Sequence, residues 1–164
     1  MGFIDASRKV ADKALSNGRS LFICTGGEEE SKKTKVGVDA VVLKNRKGFI
    51  RLAIKHNCSV VPVFGVGVSD LYKTYDLGSL KLRQRLQKYT GIAIPFFHGV
   101  WGSPTPYKVP INILIGEPIE MPKVVLDSKG SVDEKIVDEY HAKYIEALKK
   151  LYAENVEGRE LVIY

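Results

Sequence analysis

The first candidate ligand-binding residues lie where a short apolar run ends in two glycines. Gly26 and Gly27 follow the apolar segment 20–25 and precede three glutamates, the last of which is Glu30. Glycine lets the backbone turn tightly or approach a ligand closely, and a helix start that follows would favour carboxylates through its dipole. The pattern therefore predicts a site-like turn, although two glycines also fit a turn with no ligand.

A second group of candidate residues is basic. Arg46 precedes Gly48 at the expected start of a helix, and Lys47, Arg51 and Lys55 recur every fourth residue as one basic stripe. Such a stripe can meet phosphates, and the alternative is a solvated helix face. Arg46 is the best candidate of the set for a phosphate contact, because it lies at the expected helix start, close to Gly48.

The three histidines offer little sign of catalysis. None has a spacing that binds metal, and none pairs locally with a carboxylate. His56 and His141 are expected to be surface or structural residues, and no metal site is predicted. His98, between Phe97 and Gly99, is the single candidate for a catalytic histidine. The chain also lacks a phosphate-binding P-loop, a dinucleotide fingerprint and a nucleophile elbow. Cys24 is expected to be a small buried residue.

Apolar periodicity predicts the elements that must position these residues. Helices are predicted at 5–16, from Asn45, at 79–89 and from a capping box at 131–134, and strands at 20–25, 38–43, 60–66 and 111–115. The continuous apolar run 60–66 indicates burial on both faces and a parallel sheet. We therefore predict an α/β fold in which helices flank a mostly parallel sheet, as a single domain over residues 1–164.

Composition limits the class of protein. A length of 164 residues suits one domain with a core of its own. The net charge of +6 favours anionic partners such as phosphates, acidic lipid headgroups or nucleic acid. Two cysteines give no disulfide framework and indicate a reducing compartment. We expect no signal peptide and no transmembrane segment in this chain.

The order of several motifs resembles the type-2 diacylglycerol and monoacylglycerol acyltransferase family. Gly26-Gly27-x-x-Glu30 matches its Gly-Gly-x-x-Glu motif, and Arg46-Lys47-Gly48-Phe49 matches its Arg-x-Gly-Phe signature. Further matches are the Val-Pro strand at 61–64, Phe97-His98-Gly99, Gly102-Ser103-Pro104 and Gly116-Glu117-Pro118-Ile119. The resemblance is collinear from Gly2 to near Leu161, and the spacing makes it specific.

The resemblance implies a partial glycerol-phosphate-acyltransferase-like fold, of which this chain is the C-terminal portion. It implies acyl transfer from acyl-coenzyme A to the hydroxyl of diacylglycerol or a related acceptor, with a histidine as general base and no bound cofactor. It also implies a place on the cytosolic face of the endoplasmic reticulum membrane or on lipid droplets. Six residues would bind substrate or coenzyme, or shape the site: Gly26, Gly27, Glu30, Arg46, Gly48 and Arg51.

Two features of the family are expected to lie outside this chain. Its His-Pro-His-Gly motif and its membrane hairpin both precede the matched residues. The run Val66-Gly67-Val68 also lacks a carboxylate that the family often carries there. We therefore expect the chain alone to be inactive and an N-terminal half to be its partner. It would then be a fragment, a truncated product or a relative that has lost catalysis.

Other functions remain open at this point. The chain can be a non-catalytic subunit that binds lipid or coenzyme A. A nucleic-acid binder would explain the charge, but aromatic stacking platforms are missing, so no nucleic-acid partner is expected. A basic amphipathic helix at 79–89 and the apolar segment 91–101 together predict contact with a membrane surface. Packing of these segments in the core is the competing interpretation.

Overall fold

The computed structural model describes residues 3–5, 7–27, 30, 33, 35–75, 96–127 and 130–164. Its regular elements are the helices α1 (Arg8–Ser16), α2 (Gly48–His56) and α3 (Glu134–Asn155), and the strands β1 (Asp39–Val41), β2 (Val63–Val66), β3 (Lys73–Tyr75), β4 (Phe96–His98), β5 (Asn112–Ile115) and β6 (Leu161–Ile163). The predicted helix at 79–89 and most of the segment 91–101 lie outside the described residues. Of the helices in the described part, none combines enough length with enough hydropathy to cross a membrane.

The described strands form three two-stranded sheets. β1 pairs with β6 in parallel, whereas β2 pairs with β5 and β3 pairs with β4 in antiparallel register. The α/β class is thus confirmed, with both parallel and antiparallel pairs. The parallel neighbour expected for the run 60–66 is wrong, since Val63 lies opposite Ile115 in an antiparallel ladder. Continuous apolar runs are typical of parallel strands, but they do not fix the direction of the neighbouring strand. The burial expected on both faces is also incomplete, since Val61 is exposed.

The core lies where α3 packs against α2 and the strands. Val137, Tyr144 and Leu148 recur along one face of α3, and each is less than a tenth exposed. They meet Ile50 and Ile54 of α2 in one hydrophobic cluster. A fully buried aliphatic side chain contributes roughly 1.5–3 kcal/mol, so this contact holds α2 firmly in place. Helical periodicity in the sequence predicts a buried face that comprises Val137, Tyr140, Tyr144, Leu148 and Leu151. It is confirmed at Val137, Tyr144 and Leu148, whereas Tyr140 and Leu151 are half-buried.

Three local predictions are wrong. The run 20–25 is not a strand, because no described strand pairs with it, and Phe22 and Ile23 are exposed. The terminal helix is capped by Asp133, whose carboxylate accepts from the N–H of Lys135 at 2.9 Å, and not by Ser131. The helix predicted from Asn45, with Asn45 as its cap, begins instead at Gly48, and Lys47 occupies the cap position without a side-chain hydrogen bond.

A buried charged cluster ties the C-terminal strand to the rest of the fold. Asp39 is fully buried on β1, and it accepts a 2.7 Å hydrogen bond from the Tyr152 hydroxyl. The Arg159 guanidinium lies 3.1 Å from the same carboxylate oxygen and donates to Asp70 at 2.7 Å. The N–H of Gly37 donates to the other oxygen of Asp70. Arg159 lies two residues before β6, so the cluster fixes the strand that pairs with β1.

Candidate functional site

A large apolar cavity opens between residues 15–27 with Glu30, helix α2 and the strands β1 and β2. Its volume is about 950 Å³, close to the upper end of the ~300–1,000 Å³ usual for ligand sites. Its apolar lining includes Leu21, Phe22, Val41, Phe49, Leu52, Val63, Phe64 and Tyr144. An amphiphile with a long apolar tail is the kind of ligand that such a lining suits.

Gly26, Gly27 and Glu30 line the apolar cavity together. The Glu30 carboxylate accepts weakly from the N–H of Val42 at 3.4 Å, and burial raises the pKa of Glu30 above its usual range. Gly26 is buried, and a Cβ at that position would overlap the Glu30 carboxylate. Gly27 has a left-handed φ of 56°. The two glycines therefore let the chain turn and leave room for a carboxylate at an apolar site.

Both cysteines of the chain also line the apolar cavity. Cys58 is partly buried and Cys24 is exposed, and both thiols are free. The expectation that Cys24 is a buried residue is therefore wrong, because the segment that carries it is not a core strand. Because both thiols lie on the wall of the cavity, their rates of alkylation report whether the cavity holds a ligand.

A second concave surface, the basic cleft, lies on the other side of α2. It has a volume of about 640 Å³ and runs between α1, the start of α2 and the loop at 130–134. Gly48 and Arg51 line it, together with Arg8, Lys9 and Lys55 and with the carboxylates of Asp12 and Glu134. The predicted site residues are thus divided between two cavities, and Arg46 lines neither of them.

The basic stripe predicted on α2 is paired with acids. Its three ion pairs are Lys47 with Asp138 at 2.6 Å, Arg51 with Glu134 at 2.7 Å and Lys55 with Asp12 at 2.8 Å. The hydrogen bond to Glu134 raises the pKa of Arg51 and lowers that of its partner. The stripe therefore joins α2 to α1 and α3. Partly exposed pairs of this kind contribute roughly 0–1 kcal/mol each.

The three histidines all lie in the described part, and none lines either cavity. His56 Nε2 lies 2.7 Å from an Asp12 carboxylate oxygen. His141 is buried with Nε2 2.9 Å from the Leu43 carbonyl, and burial lowers its pKa. Both are satisfied structural residues, as expected. His98 lies on β4 with Nδ1 3.0 Å from the Gly99 carbonyl.

Four polar residues that the structure makes prominent were missed by sequence reasoning: Arg8, Lys9, Asp39 and Arg159. Three of them have a signal in the sequence. Asp39 interrupts an apolar strand, where an unpaired charge is costly. Arg8 and Lys9 place two positive charges at a helix start, where the dipole disfavours them. Arg159 left no such signal, because its partners are distant in sequence.

Comparisons with known proteins match this chain to one family. The sequence model of the family described as "Diacylglycerol acyltransferase" matches residues 1–161. Diacylglycerol O-acyltransferase 2 of Mus musculus is 38% identical over 165 residues, which cover 92% of this chain and 41% of the relative. The Homo sapiens counterpart is 36% identical with the same coverage. Diacylglycerol O-acyltransferase 2B of Umbelopsis ramanniana is 36% identical, covering 93% of this chain and 46% of the relative.

The family match covers nearly the whole of this chain, which therefore belongs to the diacylglycerol acyltransferase family. The chain spans less than half the length of the curated relatives named above. No solved structure matches it.

Proposed function

We propose that this chain is the acyl-binding portion of an enzyme that transfers an acyl group from acyl-coenzyme A to the hydroxyl of diacylglycerol. The observation that supports this most is the apolar cavity, which carries the partly buried carboxylate of Glu30. The names of the relatives support diacylglycerol as the acceptor. In the reaction, the acceptor hydroxyl attacks the thioester carbonyl, a base takes the hydroxyl proton, and coenzyme A leaves as its thiol.

The apolar cavity would hold the acyl chain or the apolar body of the acceptor. Glu30 would orient the acceptor hydroxyl or the histidine that acts as base. That histidine would come from the N-terminal half of the protein, and Arg46 would contact a coenzyme phosphate or an acceptor oxygen from outside the cavity. The alternative, a non-catalytic lipid-binding subunit, uses the same cavity.

Protection of the two thiols tests whether the cavity binds acyl chains. Cys24→Ser and Cys58→Ser each leave one thiol on the cavity wall. A long-chain monoacylglycerol should slow alkylation of either thiol by iodoacetamide, because ligand at ten times its Kd leaves only about one-tenth of the cavities empty. Mass spectrometry measures the rate.

Glycerol, which has no acyl chain, is the matched control and should leave both alkylation rates unchanged. Unprotected thiols in the presence of saturating monoacylglycerol would show that the cavity does not hold acyl chains.

Glu30→Gln should reduce acyl transfer without reducing the stability of the fold. Because the pKa of Glu30 is raised, its contribution to stability is present below pH 4.5, the ordinary value, and is lost as the pH rises through the folded pKa. The amide should therefore leave the thermal midpoint at pH 7 unchanged or higher. In a chimera in which this chain replaces the matched part of the mouse relative, acyl transfer should fall about tenfold or more.

Glu30→Asp in the same chimera keeps the charge and serves as the control for it. A loss of acyl transfer that only follows a loss of folding in Glu30→Gln would remove Glu30 from the site.

We also propose that the whole protein works at the endoplasmic reticulum membrane or on lipid droplets, where its apolar acceptor resides. Exposed Phe22, which is 81% accessible at the cavity mouth, supports contact with a lipid surface. In a flotation assay with anionic liposomes at low salt, the purified chain should rise with the vesicles. Phe22→Ser should reduce the floating fraction, and a chain that stays in the soluble fraction would contradict the proposal.

A further inference from the structure

Tyr144 is a buried tyrosine whose hydroxyl has no hydrogen-bond partner in the described part of the chain. The residue lies on the inner face of α3, is 7% exposed, and packs edge-to-face against the Phe49 ring with centroids 4.9 Å apart. Burial is the one cause that raises the pKa of its hydroxyl, with no contribution from a hydrogen bond to a described residue. The ring is therefore held by packing, while the hydroxyl is available to a partner.

A second tyrosine of α3 shows the usual arrangement. Tyr152 is 3% exposed, and its hydroxyl donates to the Asp39 carboxylate at 2.7 Å. Buried tyrosine hydroxyls normally have such a partner, because an unpaired one loses its hydrogen bonds to water without replacement. The Tyr144 hydroxyl thus needs a partner that the described residues do not supply.

The Tyr144 hydroxyl can meet that partner in the apolar cavity. Tyr144 lines this cavity and does not line the basic cleft. Among the described residues, the unpaired side-chain atoms that are sealed from solvent belong to Asp39 and Arg159. The Tyr144 hydroxyl is not one of them, so it keeps accessible surface although the residue as a whole is buried. Because Tyr144 lines the apolar cavity, a ligand there can reach this hydroxyl.

The floor of the apolar cavity offers one polar side chain. The buried lining residues of the described part are Gly26, Val41, Ala53, Phe64 and Tyr144. The first four carry no polar side-chain atom, so the phenolic O–H is the polar side-chain group at this depth. A charged group would be costly there without a counter-charge, which disfavours a phosphate or a carboxylate. A neutral carbonyl oxygen on an apolar molecule fits both the single donor and its surroundings.

We propose that the Tyr144 hydroxyl donates a hydrogen bond to the ester carbonyl oxygen of an acylglycerol held in the apolar cavity. This inference rests on the proposed function and adds Tyr144 as a substrate-binding residue. Anchoring one ester carbonyl sets how deeply the acceptor enters the cavity, and hence the position of the hydroxyl that is acylated. The thioester carbonyl of the acyl donor shares this chemistry, and the experiment separates the two sources.

A matched pair of ligands tests the hydrogen bond directly. A monoacylglycerol carries the ester carbonyl, and the alkyl ether of glycerol with the same chain length lacks it. Protection of Cys58 from iodoacetamide in the Cys24→Ser chain measures the Kd of each ligand. With Tyr144 in place, the chain should bind the ester about fivefold more tightly than the ether, the effect of one neutral hydrogen bond. Tyr144→Phe should weaken the ester by the same factor and leave the ether unchanged.

Tyr140→Phe is the matched control, because Tyr140 lies one turn earlier on α3 and lines neither cavity. It should leave both Kd values unchanged. Because Tyr144→Phe keeps the ring and removes a hydroxyl without a described partner, its thermal midpoint should equal that of the parent chain or exceed it. A purely structural role for the hydroxyl predicts a lower midpoint and no difference between the two ligands, which would contradict the inference.

The remaining outcomes are distinct. Equal weakening of ester and ether by Tyr144→Phe, or no change in either, would overturn the inference and leave the acyl-binding cavity, because both ligands would still protect Cys58. Protection by neither ligand would remove the acyl-binding cavity itself, and with it both the proposed function and this inference. The N-acetylcysteamine thioester of the same acyl chain is the third ligand. A loss in Tyr144→Phe that is confined to this thioester would assign the hydroxyl to the acyl donor and overturn its assignment to the acceptor.

Discussion

Arg159→Leu should lower the free energy of unfolding by about 3–5 kcal/mol, the usual cost of leaving one member of a buried ion pair without its partner. Asp39 has no exposed surface, and its neighbours in the cluster are the Arg159 guanidinium at 3.1 Å and the Tyr152 hydroxyl at 2.7 Å. Removing the guanidinium leaves the buried Asp39 carboxylate without its cationic partner and out of reach of water. Urea unfolding of the purified chain measures the change.

The double variant Arg159→Leu with Asp39→Asn is the control. Because it removes both charges, it should be less destabilised than the sum of the two single variants, as groups in contact are not additive. Additive effects, or a loss below about 1 kcal/mol for Arg159→Leu, would show that the cluster does not act as a buried pair.

The same cluster should make stability depend on pH. The hydrogen bond from Arg159 is the main reason that the pKa of Asp70 lies below its ordinary value of 3.8. A lowered pKa means that Asp70 stabilises the fold above that value and that this contribution is lost as the pH falls through the folded pKa. The loss on acidification should be smaller in Arg159→Leu than in the wild type.

The purified chain alone should form no triacylglycerol above background from labelled acyl-coenzyme A and diacylglycerol. A general base contributes roughly 10²–10⁴-fold to such a reaction, and neither described cavity is lined by a histidine. The chimera with the mouse relative, which supplies the remaining part of the family's sequence, is the positive control. Product formation is followed by thin-layer chromatography.

If the purified chain forms triacylglycerol and His98→Ala abolishes that activity, the prediction of inactivity is wrong and His98 is the base. His141→Ala is not a suitable control, because that side chain is buried and bonded to Leu43. Lys143→Ala is a better one, since it changes an exposed pair with Glu139 and a surface contact with the Tyr140 ring, outside either cavity lining.

Local sequence determined the parts of this protein that depend on near neighbours. The stop of α1 at Asn17 and Gly18, the buried face of α3 and the turn at Gly27 follow from spacing within a few residues. The order of motifs such as Gly26-Gly27-x-x-Glu30 and Arg46-x-Gly48-Phe49 also indicated the family, which the match over residues 1–161 shows. These properties can be predicted without knowledge of the tertiary packing.

Tertiary packing alone set which residues share a surface. It joined Glu30 to an apolar cavity, placed Gly48 and Arg51 in a separate cleft, and left Arg46 in neither. It also paired the α2 stripe with acids of α1 and α3, as in the contact of Lys55 with Asp12, 43 residues away. Strand direction and ion pairing depend on chain segments far apart in sequence, so periodicity and short motifs cannot encode them.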